Sequence, residues 1–252
     1  MDIEGWILAV LLLLAALLVL TLHKQRRVHL MLYEVRADVS ASHRELQHLF
    51  AQVQSLLALE RRLQLARPLP PLRGWAGSPD MLLRVAERVL DGKPGVVLEC
   101  SSGTSTLVAA RCCQLNGAGH VYSLKHDAVY VAKTRVLLAH HELADWATVV
   151  HAPLETGADG AIWYRDANLP PEATGAELLV VDGPPAGGDS QARYPALPRL
   201  RGRLAPHFAL LLDDADRPGE RRVVERWLQQ DAGLQAEWLP CEKGLAVLEP
   251  KA

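Results

Sequence analysis

Apolar runs that each stop at a cluster of small, hydroxyl-bearing or acidic residues, with helical patterns between them, restrict this 252-residue chain more than any other feature. The runs cover residues 96–100, 120–124, 147–151, 177–181 and 207–212; the helical patterns cover 81–90, 105–115, 128–141, 192–204 and 219–230. Strands alternating with helices in this way predict an α/β domain, with a mainly parallel sheet and helices on both faces. Runs at 235–239 and 245–248 enclose Cys241-Glu242-Lys243-Gly244 and predict a closing antiparallel hairpin. Ser78-Pro79-Asp80 reads as a helix start, with Ser78 as cap and Pro79 at the first helical position.

In open sheets of this kind, ligands bind beyond the C-terminal strand ends, where the strand order reverses. Glu99, Lys125, Asp182, Asp213 and Asp214 all fall at such ends, which favours an enzyme over a bare scaffold. The first strand runs straight into Glu99-Cys100-Ser101-Ser102-Gly103-Thr104-Ser105-Thr106, a loop of small residues that opens a helix. Such a loop lets backbone approach a ligand, and the helix start offers N–H groups to its anionic part. The same stretch also reads as an ordinary turn capped by hydroxyls. Neither a Gly-x-Gly-x-x-Gly fingerprint nor a Gly-x-x-x-x-Gly-Lys phosphate loop is present.

Taken in order, these segments resemble the class I S-adenosylmethionine-dependent methyltransferases over roughly residues 72–249, through the loop at Glu99, the strand ending at Lys125-His126-Asp127, Asp182-Gly183-Pro184-Pro185 and Asp213-Asp214. The similarity is closest to the O-methyltransferase type with a Val-Asp-Gly-Pro-Pro segment and a later Asp-Asp pair. It implies a Rossmann-like seven-stranded sheet of order 3-2-1-4-5-7-6 and S-adenosylmethionine as cofactor. It also implies that Glu99 helps hold the cofactor's amino group while the amides around Ser101, Ser102, Gly103 and Thr104 approach its carboxylate. Ser101 stands where the family has glycine, and Lys125 where it usually has an acid for the ribose. An ammonium only donates hydrogen bonds, so Asp127 is the next acceptor in line. Lys125 also reads as a phosphate ligand or as a plain surface lysine. Asp182, Asp213 and Asp214 resemble the metal-binding set of catechol-type and sugar O-methyltransferases. There magnesium or another divalent cation holds the acceptor hydroxyl and lowers its pKa. They read equally as turn caps, and Asp182 is the candidate catalytic residue.

The N-terminus has a different character. From Trp6 to Leu22 the chain is apolar and uncharged for about 17 residues, at the short end of a membrane span. Asp2 and Glu4 precede this run and His23-Lys24-Gln25-Arg26-Arg27 follows it, so the positive-inside rule puts the C-terminal side in the cytoplasm. A cleaved signal would carry its positive charge ahead of the run. Residues 1–27 therefore read as a single-pass anchor, with an atypical signal as the alternative. From Val28, apolar residues recur in steps of four and three (Leu32, Val35, Val39, Leu46, Leu49, Val53, Leu56, Leu63), interrupted by Ser42 and Glu60. This is a coiled-coil template that would pair two chains over 28–67 and span roughly 50 Å. A single amphipathic helix lying on the domain or on the membrane is the other reading. Arg67-Pro68-Leu69-Pro70-Pro71 ends the helix, and the catalytic domain is expected over 68–252.

A net charge of −2 gives no reason to expect nucleic acid. Cys100, Cys112, Cys113 and Cys241 lack metal spacing and suit a reducing compartment. His126 and His151 are candidate bases; Trp163-Tyr164-Arg165 and Ala192-Arg193-Tyr194-Pro195 either shape an acceptor site or pack a long loop. The reading is a membrane-anchored methyltransferase acting on oxygen, with a small-molecule, lipid or glycan acceptor. The alternative is a catalytically weakened methyltransferase-like interaction module at the membrane.

Overall fold

The computed structural model describes residues 3–72, 76–157, 160–185, 187 and 191–251. The chain divides into two units, one ending at Phe50 and the other beginning at Ala51. In the first, α1 (Ile3–Leu63) starts with a stretch long and apolar enough to cross a membrane, and the large apolar side chains described in it up to Phe50 are exposed. Met1 and Asp2 of the expected anchor lie outside the described residues. Along the expected pairing seam, Val28, Leu32, Val35, Val39, Leu46 and Leu49 are exposed.

The second unit takes in the last turns of α1, so it starts well before the expected boundary at 68. Leu59 and Leu63 are fully buried in its core, and Gln52 Nε2 donates to Asp80 Oδ2 at 2.6 Å. Arg111 Nε clamps the helix end through the Leu63 carbonyl at 2.7 Å. The elements that follow are α2 (Pro79–Gly92), β1 (Val96–Cys100), α3 (Thr104–Asn116), β2 (His120–Lys125), α4 (Ala128–His140), β3 (Ala147–His151), β4 (Leu154–Thr156), β5 (Ile162–Tyr164), β6 (Ala176–Val181), α5 (Ala196–Leu200), β7 (Leu204–Asp213), α6 (Pro218–Gln230), β8 (Leu234–Leu239) and β9 (Leu245–Pro250). The main sheet runs β3-β2-β1-β6-β7-β9-β8, parallel except for the final hairpin, which is the expected order with β4 and β5 left out of the count.

Successive strand residues point to opposite faces, and both faces are covered. In β1, Val97 faces the core formed with α2, α3 and residues 59 and 63, while Leu98 and Cys100 face the core that holds Val223, Val224 and Trp227 of α6. Three local expectations change. Ser78 precedes α2, but its hydroxyl makes no cap hydrogen bond and is buried without a partner. The helix expected over 192–204 is only α5 and a following 3-10 turn. Ile162-Trp163-Tyr164 forms a small hairpin with β4, and Trp163 and Tyr164 are buried.

Candidate active site

The loop after β1 is organised from within. Glu99 pairs in register with Ser123 of β2 on the face that α3 covers. Its buried carboxylate accepts from Thr106 Oγ1 at 2.7 Å and from the hydroxyls of Ser105 and Ser123. Burial raises its pKa, and the three hydroxyls pull against that rise. Both carboxylate oxygens thus already serve the junction of β1, β2 and α3. Above them, Ser101 has φ 152° and Gly103 has φ 153°, backbone conformations suited to glycine. The Ser101 N–H donates to the Leu124 carbonyl at 3.1 Å, tying the loop to β2, and Ser102 Oγ lies 3.2 Å from Thr134 Oγ1. A side chain at Gly103 would meet no protein atom within 4 Å, so the outer side of the loop is open, next to the first turn of α3 at Thr104.

At the end of β2, Lys125 is half-buried, with Nζ 5.2 Å from the centre of the Tyr130 ring. Burial lowers its pKa, while Glu99, Asp182 and Asp127 oppose that shift. Asp127 caps α4, accepting at Oδ1 from the N–H groups of Val129 (2.8 Å) and Tyr130 (3.1 Å), and these bonds hold its pKa down. Between the two, His126 Nδ1 is buried without a hydrogen-bond partner, and burial lowers the pKa of the ring.

The third group lies at the ends of β6 and β7. The Asp182 N–H donates to the Cys100 carbonyl at 3.0 Å, fixing the end of β6 beside that of β1. A side chain on the next residue, Gly183, would collide with the Tyr164 hydroxyl. Asp214 turns out of β7 with φ 58°. One oxygen from each of Asp182, Asp213 and Asp214 lies within 4.8 Å of the others. The residue that sequence reasoning missed in this role is Arg193, only 6% exposed. Its Nη1 donates to the Asp213 carbonyl at 2.8 Å, and its Nη2 lies 2.8 Å from Asp214 Oδ2 and 3.4 Å from Asp182 Oδ1. Glu220 (3.9 Å from Nη1), Arg217 (2.9 Å from Asp214) and Lys243 (3.9 Å from Asp214) extend the network. Burial pushes Asp182 up to about 6 and Asp213 up to about 7; neighbouring carboxylates add to both shifts and Arg193 opposes them.

The strand order, the loop at the end of β1 and the acidic ends of β6 and β7 decide the architecture. The fold is that of the class I S-adenosylmethionine-dependent methyltransferases. Among solved structures, a methyltransferase of Podospora anserina bound to S-adenosylhomocysteine superposes with TM-score 0.57 and 15% identity over 79% of this chain and 88% of that one. An O-methyltransferase of Bacillus cereus in complex with S-adenosylhomocysteine gives 0.53 and 17%, over 79% and 91%. The O-methyltransferase TomG of Streptomyces achromogenes, in complex with S-adenosylmethionine, gives 0.52 and 14%, over 80% and 90%. No family model and no curated protein sequence matches the chain.

Proposed function

We propose that the unit from Ala51 onward is a methyltransferase that uses S-adenosylmethionine and acts on an acceptor oxygen. The observation that carries this is convergence. Glu99, Lys125 and Asp182 stand at the ends of three adjacent strands, β1, β2 and β6, beside a loop whose outer side is open, at the point where the sheet order reverses. Bound there, the cofactor supplies an electrophilic methyl group. The amides of Ser102 and Thr104, beside the start of α3, would face its carboxylate, since those of Ser101 and Gly103 donate to the Leu124 carbonyl and to Thr106 Oγ1. Asp182 is more exposed than Asp214 (side chains 16% against 4%) and would accept the proton that the acceptor hydroxyl loses. Asp182, Asp213 and Asp214 would serve a magnesium-type ion only by giving up Arg193. The apolar start of α1 supports a membrane anchor, and Lys24, Arg26 and Arg27 after it support a cytoplasmic catalytic unit. The heptad seam supports pairing of two chains, and the membrane address supports a lipid, glycan or membrane-protein acceptor.

Two observations favour a second reading, a methyltransferase-like interaction module. Lys125 offers donors where ribose needs an acceptor, and Glu99 is engaged internally. Calorimetric titration of the full chain in detergent with S-adenosylmethionine and S-adenosylhomocysteine separates the readings. Saturable binding of either is expected; a folded protein that binds neither would leave the module.

A further inference from the structure

The resemblance that points to this cofactor also implies a divalent cation at Asp182, Asp213 and Asp214, and the structure allows that expectation to be tested. Three carboxylates with oxygens within 4.8 Å of one another form a donor set for an oxygen-seeking ion. Asp213 Oδ1 and Asp214 Oδ1 are buried without hydrogen-bond partners, as atoms awaiting an ion would be. Yet a positive charge already lies among them. Arg193 Nη2 approaches both Asp214 and Asp182, and Nη1 is spent on the Asp213 carbonyl, so any ion held by these oxygens would sit against a buried guanidinium. Like charges at such separations repel strongly where water is excluded. The Asp214 oxygen needs no ion to account for it, because Lys243 Nζ lies 3.9 Å from Asp214 Oδ1. With Arg193 in place, the residues do not suit a divalent ion.

We propose that Arg193 is the resident cation of this cluster, joining the ends of β6 and β7 and positioning Asp182 without a metal. The guanidinium fits the task because its planar fork bonds a backbone carbonyl on one arm and two carboxylates on the other. A lysine would place a single nitrogen there. The segment carrying Arg193 is thereby held against both strand ends, and the guanidinium sets the direction of Asp182 Oδ1. Arg193 is thus a positioning residue. The proposal concerns ions only and is read out without cofactor, so it stands or falls separately from methyl transfer.

The test is Mn2+ titration of the full chain in detergent, followed by electron paramagnetic resonance. Wild type should show no Mn2+ binding that disappears in Asp182→Asn. In Arg193→Ala the freed carboxylates should bind Mn2+ at least about tenfold more tightly than wild type, whereas Arg193→Lys should not, because an ammonium still fills the space. Cluster-dependent binding by wild type, or an Arg193→Ala protein that is folded and binds no better than wild type, overturns the proposal. Should Arg193→Ala not fold, the comparison of wild type with Asp182→Asn still decides.

Discussion

Ser101 shows what a departure from glycine costs. From the sequence the concern is a side chain crowding a ligand, whereas in the structure the cost lies in the backbone, at φ 152°. L-residues held in such conformations store about 1–3 kcal/mol, and glycine gives back part of that through the entropy of its unfolded chain. Ser101→Gly should therefore raise stability by about 1 kcal/mol in urea unfolding; an unchanged or lower midpoint would mean that the hydroxyl contributes more than the strain. Glu99 is legible as a site residue from its place at a strand end. Its internal role is not, because the three hydroxyls that hold it come from residues 105, 106 and 123, and only the β1–β2 register and the docking of α3 bring them together. That role has a pH signature. The folded-state pKa is raised, so between the unfolded and folded values the native state keeps a proton that the unfolded chain has lost. The stability this group contributes is therefore full in acid and falls as pH rises. Glu99→Gln cannot titrate. The gap in unfolding free energy, wild type minus variant, should shrink as pH rises above 4.5, the group's ordinary value. A gap that widens would mean that the native state prefers the ionised carboxylate.

At the scale of elements, the sheet is legible because buried parallel strands are mostly apolar and end in polar residues. Two elements are not. The hairpin of β4 and β5 pairs only three residues a side, too short for alternation to stand out, although Trp163-Tyr164 marks something worth burying. In the last turns of α1 the heptad spacing puts Val53, Leu56, Glu60 and Leu63 on the pairing seam, whereas the buried residues are Gln52, Leu59 and Leu63. The two rows run side by side on the same helix and meet at Leu63, so periodicity alone does not separate a seam for a second chain from a seam for the chain's own domain. The distinction has an energetic consequence. Burying a leucine stabilises by about 1.5–3 kcal/mol, so removing Leu59 and Leu63 takes a large share of a domain stability of about 5–15 kcal/mol. A fragment beginning at residue 51 should melt at least several degrees above one beginning at 68, which should bind hydrophobic dye. Equal melting temperatures would show that these turns contribute nothing to the core.

The whole molecule joins two kinds of surface. The unit from Ala51 onward buries its apolar residues on both sheet faces, whereas the large apolar residues described in α1 up to Phe50 are exposed. For the first part, the proposed membrane anchor would account for the exposure. Past the basic residues at 24–27 it does not, because charged residues at 34, 36 and 38 interrupt the apolar pattern and leave only a stripe. A stripe of period three and four in water is stabilised by a matching stripe, and a second copy of the same helix in parallel supplies it residue for residue. Serines at 40 and 42 report on this directly, since both are exposed and only Ser42 lies on the stripe. In a parallel pair, each Ser42 would face its counterpart within reach of a disulfide, while the two copies of Ser40 would point apart. In a Cys241→Ser background, with the other cysteines buried, mild oxidation in membranes should give a cross-linked dimer for Ser42→Cys and monomer for Ser40→Cys. Equal cross-linking at both positions, or at neither, would sink the pairing and leave α1 to present its stripe to the membrane surface.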